Sequence, residues 1–487
     1  MNIYDENRHR PHSRSVFLIS ENKTYLYSDL NIYVHQLHDI FARHEICQHH
    51  KIALLAKTTD ELVLTIAASW KLGIPFVPLS PNLNDHELSS YIERLQPELI
   101  FTDADNQNRL SYYQDRQMLF PAFNKAYINN NVRSGVSPDP ESYFGYFFTS
   151  GTTGQPKIVP LKRRQMYHAA ESSALNFRPD TNHFWLLCMP LNHIGGISVI
   201  LRSLLYGSGI YRLSSFDKEL VKNLLIEETS IQVVSFVPTM LKRLLSDPDF
   251  SVHKNFKTVL LGGAPASPKL LKEALRKNIP AIPSFGMTET CAQIAAVKLN
   301  KRFKIKSGLV GTIFQGNEVS IRNEQGLSLQ PSEIGTIWLK GPQVFDGYFD
   351  DFDNTNRFDD DGWFDTHDSG WLDEKNRLYV FSRRSDLIIS GGENISPYEV
   401  EQALQNVESI DEAAVTGLPD EEWGQIVTAL VVFKDGYSIS LEELRSALHN
   451  ELPNFKKPRR LIKVESLPKT RSGKIRRDQL KVIADQS

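Results

Sequence analysis

Residues 149–157 read Thr-Ser-Gly-Thr-Thr-Gly-Gln-Pro-Lys and follow an apolar, aromatic run at residues 143–148. Small hydroxyl side chains and glycines let a backbone approach an anion closely, and their N–H and O–H groups form a dense set of donors. Lys157 adds a positive charge, so the segment suits a polyphosphate. It differs from the common P-loop, because Pro156 stands where that loop has Gly and Ile158 follows the lysine. Taken alone, such a run is also compatible with a flexible surface loop.

Around this segment, short apolar runs alternate with helix-like stretches. Buried strands are predicted at residues 51–55, 73–79, 98–102, 183–190, 231–238 and 258–261. Residues 60–72 predict a helix between the first two of these strands. Strands separated by helices of about 10–15 residues indicate βαβ units and mostly parallel sheets. The expected fold class is therefore α/β, with two mixed or parallel α/β subdomains in a large N-terminal body.

The pattern changes twice toward the C-terminus. Closely spaced strands with Gly turns at residues 307–349 predict an antiparallel β subdomain within the body. Beyond about residue 384, the chain contains a compact α/β pattern that is long enough to fold as a small domain. We expect a body of residues 1–385 and a mobile α+β domain of residues 386–487. The predicted elements of the small domain are a turn at 390–394, helices at 396–406 and 441–449, and strands near 412–416 and 429–434.

Composition excludes several classes of protein. The chain has 487 residues, with 55 Lys and Arg against 58 Asp and Glu and 41% hydrophobic residues. This balance excludes whole-chain disorder and argues against a nucleic-acid or membrane-surface binder. Cys47, Cys188 and Cys291 lie far apart, so neither a disulfide scaffold nor a zinc ribbon is expected. The polar residues 1–10 lack the core of a signal peptide, and the apolar run at 62–70 is far shorter than the ~20 residues of a membrane helix. We expect a cytoplasmic protein without membrane insertion.

Two segments in the second half of the body add groups that suit a nucleotide. Residues 284–289, Ser-Phe-Gly-Met-Thr-Glu, offer a ring that could stack on a base and a carboxylate, Glu289, that could hold Mg²⁺. Asp368, in the Thr-His-Asp of residues 366–368, could accept ribose hydroxyls. Taken alone, the first segment is also compatible with a capped turn and the second with a solvated acidic loop.

Two further segments lie at the boundary and near the end of the chain. Residues 383–386, Arg-Arg-Ser-Asp, could supply a ribose or phosphate contact and a hinge carboxylate. Residues 469–474 end in a Gly-Lys loop. The basic stretch at 456–477 has few interleaved aromatics and belongs to a chain of balanced charge, which argues against a nucleic-acid patch.

These segments together resemble the AMP-forming adenylating enzymes, which include acyl-CoA synthetases, firefly-luciferase-like enzymes and peptide-synthetase adenylation domains. The motifs occur in the family's order over nearly the whole chain. The resemblance implies that a carboxylate attacks the α-phosphate of ATP, and that the thiol of CoA then displaces AMP from the acyl-adenylate. It implies ATP and CoA as co-substrates, Mg²⁺ as a cofactor and a small carboxylic acid as the remaining partner. It also implies that the body is the AMP-binding domain, and a homo-oligomer is compatible with it.

The resemblance assigns roles to the residues that match the family's motifs. The residues implied to grip the β- and γ-phosphates are Thr149, Ser150, Gly151, Thr152, Thr153, Gly154 and Lys157. Those implied to surround the adenine and its neighbouring atoms are Gly263, Ala264, Pro265, Ser284, Phe285, Gly286 and Thr288. Asp368 and Arg383 would bind ribose, and Thr152 or Thr153 would stand with Glu289 near Mg²⁺.

Lys474, Glu289 and His193 are the implied catalytic residues. Lys474 matches the family lysine that reaches the α-phosphate and the acyl carboxylate, so the small domain must close over the body. Rotation about Asp386 would then bring Gly392 to the path of CoA. His193 stands where the family often has a histidine lining the acyl pocket, although a hydrogen bond to a local backbone group is the alternative.

A closer resemblance within the family implies the expected substrate. Residues 189–198, 237–241, 261–265 and 382–397 resemble the acid–CoA ligases that act on o-succinylbenzoate, and no acid at 189–198 could hold an amino-acid ammonium group. Arg202 is a candidate partner for a second substrate carboxylate, with a structural salt bridge as the alternative. Another aromatic or medium-chain acid is the alternative substrate.

Some residues depart from the family's pattern or bear on a non-catalytic relative. His367 stands where the ribose motif usually has Gly, and Phe285 where many relatives have Tyr. A non-catalytic nucleotide-binding relative would be favoured by loss of the charged motif residues, but all of them are present: Lys157, Glu289, Asp368 and Lys474.

Overall fold

The computed structural model describes residues 13–21, 23–127, 138–149, 156–177, 181–298, 304–350, 357–383, 388–390, 393–420, 422–449, 451–469 and 475–486. The elements of the first third are β1 (Val16–Ile19), β2 (Thr24–Leu26), α1 (Tyr27–Arg43), β3 (Ile52–Leu55), α2 (Asp60–Leu72), β4 (Phe76–Leu79), α3 (Asp85–Leu95), β5 (Leu99–Thr102), β6 (Gln117–Leu119), β7 (Tyr143–Thr149), β8 (Lys157–Lys162) and α4 (Arg163–Phe177). They are followed by β9 (Phe184–Leu187), α5 (Ile194–Tyr206), β10 (Gly209–Arg212), α6 (Lys218–Glu227), β11 (Ile231–Phe236), α7 (Pro238–Leu245), β12 (Thr258–Leu261), α8 (Pro268–Arg276), β13 (Ala281–Phe285) and β14 (Ala295–Ala296). The remaining elements are β15 (Leu309–Ile313), β16 (Glu318–Arg322), β17 (Gly335–Lys340), β18 (Phe364–Leu372), β19 (Arg377–Arg383), β20 (Ile388–Ser390), β21 (Glu393–Ile395), α9 (Pro397–Gln405), β22 (Ile410–Asp420), β23 (Gly424–Phe433), α10 (Leu441–Ala447), β24 (Arg460–Lys463) and α11 (Arg477–Asp485).

A six-stranded sheet, in the order β6-β5-β3-β4-β7-β8, is formed by the early strands. Strand β3 pairs in parallel with β4 and β5, whereas β7 and β8 form an antiparallel hairpin. Helix α2 has the predicted bounds, because Thr59 caps its first turn by accepting from the Leu62 N–H at 3.2 Å and Gly73 ends it at φ +76°. The predicted βαβ pattern is confirmed here.

The other large sheet of the body has thirteen strands. Their order is β16-β17-β18-β19-β15-β14-β13-β12-β11-β9-β10-β1-β2. The strands β10, β9, β11, β12 and β13 are parallel, and those beyond β13 are antiparallel. The predicted antiparallel region is therefore present, but it extends past residue 349 to β19 and is continuous with the parallel sheet. The two-residue strand β14 joins the two parts by pairing with β13 and β15.

A buried ion pair connects helix α2 to strand β10. Arg212 donates from Nε to Asp60 Oδ1 at 2.6 Å and from Nη1 to the Thr58 carbonyl at 2.8 Å. Ser20 donates to the other carboxylate oxygen of Asp60 at 2.8 Å. The side chains of Arg212 and Asp60 are 14% and 8% exposed, so each charge depends on the other for compensation.

The last sheet is formed only from strands that begin at residue 388 or later, in the order β21-β20-β23-β22, with β24 beside β23. Its core includes Val400, Leu404, Val415 and Val431. The predicted helices and strands of the small domain are present as α9, β22, β23 and α10. The division at residues 385/386 stays a prediction, because residues 384–387 lie outside the described ranges. No helix in the described ranges is long and apolar enough to cross a membrane.

Candidate active site

The ends of the hydroxyl-rich loop are fixed by the β7–β8 hairpin. Thr149, the last residue of β7, is the register partner of Lys157, the first residue of β8. The predicted phosphate ligands Ser150, Gly151, Thr152, Thr153 and Gly154 lie outside the described residues. Lys157 Nζ lies 4.5 Å from the ring centre of Tyr348, which places the loop's cation beside an aromatic residue that the motifs did not predict.

A network of charges holds residues 344–348 against β8 and α4. Arg164 Nη2 donates to both carboxylate oxygens of Asp346, at 2.6 and 2.8 Å, and Lys162 Nζ lies 3.0 Å from Asp346 Oδ2. Gln165 donates to the Val344 carbonyl at 3.0 Å. Burial opposes ionisation of Asp346, but the hydrogen bonds from Lys162 and Arg164 outweigh it and place the pKa of this carboxyl below its usual range. The network therefore supports the segment that carries Tyr348.

Glu289 lies in the 3-10 turn Thr288–Thr290, four residues after β13. Its side chain is buried, and Oε1 accepts a hydrogen bond from the Tyr348 hydroxyl at 2.8 Å. Burial, and then the negative charge of Glu289, raise the pKa of Tyr348 above its usual range, so the phenol stays protonated and donates.

This arrangement fits the predicted magnesium ligand. Within the described ranges, the hydrogen bond that Glu289 accepts on its side chain is the one from Tyr348 to Oε1. The described ranges contain no group of three or more His, Cys, Asp or Glu residues that could hold a metal ion. Mg²⁺ is commonly held by one or two carboxylates together with substrate phosphates and water, so a single carboxylate here is compatible with it.

The predicted adenine slot is built at the ends of two neighbouring parallel strands, β12 and β13. Ser284 Oγ donates to the Leu261 carbonyl at 2.8 Å and fixes the two segments side by side. Gly263 adopts φ +76°, and a Cβ on Gly286 would lie 1.7 Å from the Ala292 carbonyl oxygen. Phe285 is only 8% exposed and packs in the core, so little of its ring is accessible to a base. Three flanking residues were also predicted. Of these, Pro265 is exposed, whereas Ala264 and Thr288 are partly buried.

Strands β18 and β19 bring together the two predicted ribose residues. Asp368 is the register partner of Arg383, whose side chain is not among the described ones. The preceding residue, His367, adopts φ +58°, a left-handed conformation that glycine would take without strain. Its backbone N–H donates to Asp365 Oδ1 at 2.7 Å, and the Asp368 N–H donates to Thr366 Oγ1 at 3.0 Å. These bonds preserve the turn despite the departure from Gly.

Helix α5 carries the residues predicted for the acyl side. His193 is its N-terminal flanking residue and is exposed, with Nε2 3.3 Å from Asn192 Nδ2. Arg202, two turns further along, is 4% exposed, and its guanidinium carbon lies 4.9 Å from the ring centre of Trp185. Arg202 forms no salt bridge with any described acid, and its Nε is buried without a hydrogen-bond partner in the same ranges. Burial lowers the pKa of Arg202 to about 10.

Arg202 lines a cavity between α4, α5 and the segment after Glu289, and this cavity is too narrow to hold a water molecule. The residues around it are Met166, Ala169, Ala170, Ser198, Leu201, Arg202 and Cys291. The structural salt bridge considered for Arg202 is therefore not found in the described part of the chain. Sequence alone could not show this, because it depends on which helices pack around the guanidinium.

The C-terminal elements contact the body beside the predicted adenine slot. Lys242 Nζ lies 3.1 Å from Asp411 Oδ1, and Lys269 Nζ donates to the Gln405 carbonyl at 3.1 Å. Tyr398, on α9, donates to the carbonyl of Ala266 at 3.5 Å, next to the predicted slot residues 263–265. Lys474, Gly392 and Asp386 lie outside the described residues, so their expected roles stay predictions.

Comparisons with known proteins match both parts of the chain. A family model described as AMP-binding enzyme matches residues 5–349, and one described as AMP-binding enzyme C-terminal domain matches residues 399–474. A 2-succinylbenzoate–CoA ligase of Enterococcus faecalis is 36% identical over 431 residues, which are 88% of this chain and 87% of that protein.

Solved structures show the same likeness. The o-succinylbenzoate CoA synthetase of Bacillus subtilis in complex with its acyl-adenylate intermediate, OSB-AMP, has a TM-score of 0.86 at 31% identity, covering 98% of this chain and 97% of that one. The same enzyme in complex with ATP and a magnesium ion has a TM-score of 0.85 at 31% identity, covering 96% and 97%.

Proposed function

Because the chain belongs to the AMP-binding enzyme family, we propose that it is an AMP-forming ligase that joins 2-succinylbenzoate to CoA. The likeness to ligases for this acid covers nearly all of the chain. The structural observation that carries the choice of acid is Arg202, a buried cation without an acidic partner among the described residues. The acid has two carboxylates, so one can react while the other binds a cation.

In the first step, one carboxylate of the acid attacks the α-phosphate of ATP and pyrophosphate leaves. An anion must approach a highly charged phosphate, so positioning and neutralisation of charge matter more than proton transfer. The segment between Thr149 and Lys157 would hold the β- and γ-phosphates. Glu289 would hold Mg²⁺, which supplies positive charge to the phosphates when bound.

The nucleoside is held by the other large sheet. The segments at residues 263–265 and 284–286 would flank the adenine, and Asp368 would accept from the ribose hydroxyls. The first group lies at or just beyond the ends of β12 and β13, and Asp368 lies in β18; all three strands belong to the thirteen-stranded sheet. Lys474 would reach the α-phosphate and the reacting carboxylate from the small domain.

In the second step, the sulfur of CoA attacks the acyl carbonyl and AMP leaves with the electron pair of the broken C–O bond. Water must be excluded before this step and the thiol admitted during it, which a mobile domain allows. Rotation about Asp386 would exchange Lys474 for the face that carries Gly392. His193, at the start of α5, would line the acyl pocket. A cytoplasmic location is part of the same proposal, since ATP and CoA are both available there.

The proposal is tested by ATP-dependent pyrophosphate release in the presence of Mg²⁺ and CoA. The acids to compare are 2-succinylbenzoate, benzoate, 4-coumarate, octanoate and acetate. We expect a clear preference for 2-succinylbenzoate, with 2-succinylbenzoyl-CoA and AMP as products. A preference for octanoate would indicate a ligase for medium-chain acids, where affinity rises by about 0.8 kcal/mol for each buried CH₂. ATP binding without turnover of any of these acids would favour a non-catalytic relative instead.

A further inference from the structure

Arg357 and His367 form a contact beside both the ribose turn and the metal carboxylate. Arg357 Nη1 lies 2.5 Å from His367 Nδ1, and Arg357 Nη2 lies 3.4 Å from the Tyr348 hydroxyl. The Tyr348 hydroxyl donates to Glu289 Oε1 at 2.8 Å. A continuous chain of polar contacts therefore runs from the residue before Asp368 to Glu289.

The donor and acceptor atoms available in each side chain decide the direction of every hydrogen bond in this series of contacts. A guanidinium has only donors, so His367 Nδ1 must accept from Arg357 and the ring proton must be on Nε2. Nε2 lies 3.4 Å from Asp365 Oδ2, which stabilises that tautomer. The Tyr348 hydroxyl accepts from Arg357 and donates to Glu289, so its proton points at the carboxylate. Thus His367 orients Arg357, Arg357 orients the Tyr348 hydroxyl, and that hydroxyl orients Glu289.

The position of Arg357 is fixed by further contacts. Its carbonyl accepts from the Asp365 N–H at 2.9 Å, and its guanidinium carbon lies 5.3 Å from the ring centre of Phe364. Arg357 Nε is buried and has no hydrogen-bond partner in the described part of the chain, so the two terminal nitrogens make its polar contacts. A glycine at position 367 would leave Nη1 without the imidazole acceptor.

We propose that Arg357 and His367 are positioning residues that couple the ribose turn to the metal carboxylate, through Tyr348 and Glu289. This inference rests on the proposed function, because it assumes that Glu289 holds Mg²⁺ and that Asp368 binds ribose. Tyr348 occupies Glu289 Oε1, so that Oε2 would be the oxygen that holds the cation. Arg357 holds the Tyr348 hydroxyl in that orientation, and His367 holds Arg357. The side chain of His367 is about half exposed, so the effect of each contact is expected to be moderate.

The test is calorimetric titration of the full chain with ATP, in Mg²⁺ and separately in excess EDTA, and with AMP. The variants are His367→Gly, Arg357→Met and the double variant. His367→Asn is the matched control, because Asn tolerates the left-handed conformation and offers an oxygen acceptor to Arg357. Thermal unfolding of each variant shows whether it is folded.

We expect His367→Gly and Arg357→Met each to weaken binding of ATP with Mg²⁺ about fivefold, as is typical of coupling between sites. Binding of ATP in EDTA, and of AMP, should change less than about twofold, because the metal carboxylate takes no part in either. The double variant should be no weaker than Arg357→Met alone, and His367→Asn should keep most of the parent's affinity.

Equal losses with and without Mg²⁺, or losses that add in the double variant, would overturn the coupling and leave the proposed function intact. A parent that fails to bind ATP under either condition would refute the proposed function and the coupling together. Because no acid or CoA is present in the titration, a wrong choice of acid has no effect on its result.

Discussion

The replacement Arg202→Met tests whether this buried cation binds the substrate or supports the fold. Burial lowers the pKa of Arg202 by more than two pH units from its ordinary value, to about 10. At about 1.4 kcal/mol for each pH unit, the charged form is about 3 kcal/mol less stable in the empty protein than in water. Because the folded pKa lies below the unfolded one, this penalty is fully present at neutral pH. A substrate carboxylate beside the guanidinium would offset it.

Methionine fills a similar volume without a charge, so the empty protein should melt at the same temperature or higher. Hydrogen bonds to charged groups contribute about 1.5–3 kcal/mol, so kcat/KM for 2-succinylbenzoate should fall by about 10–150-fold. Benzoate has no second carboxylate, and its much slower turnover should change less than about threefold. The measurements are pyrophosphate release with each acid and thermal unfolding by circular dichroism.

Arg243→Met is the matched control, because Arg243 is an exposed arginine on α7 that contacts the ring of Phe216 and not the cavity. It should leave both acids unaffected. If Arg202→Met lowered turnover of both acids equally, or lowered the melting temperature by several degrees, Arg202 would be a structural residue. Arg202 would then not be the group that binds the second carboxylate of the acid.

Three further replacements test the scaffold. Asp60→Asn leaves the charge of Arg212 uncompensated and should reduce the free energy of unfolding by about 3 kcal/mol, measured as a lower melting temperature. Gly286→Ala places a methyl group against the Ala292 carbonyl and should both weaken ATP binding, measured by calorimetric titration, and lower the melting temperature. Asp346→Asn removes a carboxylate of lowered pKa that is 46% exposed, so the loss should be about 1 kcal/mol at neutral pH. That stabilisation is present above the ordinary carboxyl pKa and is lost as the pH falls through the lowered, folded pKa. Parent and variant should therefore melt alike once the pH is below the folded pKa.

Each of these expectations has a contrary outcome. An unchanged melting temperature in Asp60→Asn would mean that the pair with Arg212 is not the buried contact described above. Full ATP affinity in Gly286→Ala would separate residue 286 from the nucleotide. A deficit in Asp346→Asn that persisted at low pH would assign the effect to packing rather than to charge.

Local patterns predicted the elements but not the way in which distant elements meet. The predicted bounds of α2 agree with the structure, where Thr59 and Gly73 act on the two ends within one turn of the helix. The β7–β8 hairpin that carries the loop at residues 149–157 was not predicted, because the sequence showed only an apolar, aromatic run at residues 143–148 before it. Strand β14 is only two residues long, too short for a recognisable pattern, and yet it joins the parallel and antiparallel parts of one sheet.

The site shows the same division. The motifs predicted roles for Glu289 and Asp368, because a carboxylate can hold a cation or accept from ribose hydroxyls, and those roles stay predictions. Tyr348 and Arg357 were missed, because an isolated Tyr or Arg carries no such signal and their partners are distant in sequence. Tyr348 is 59 residues from Glu289. The burial of Arg202 was equally invisible, since it depends on the packing of α4 against α5.

The continuity of the thirteen-stranded sheet has a mechanical consequence. The residues expected to hold the base and the sugar belong to that sheet, whereas the hairpin expected to hold the phosphates belongs to the six-stranded one. A nucleotide bound across both would connect them, because its base and ribose would be held by one sheet and its phosphates by the other. A small displacement of one sheet relative to the other would then strain the bonds between the ribose and the phosphates, which include the bonds of the α-phosphate.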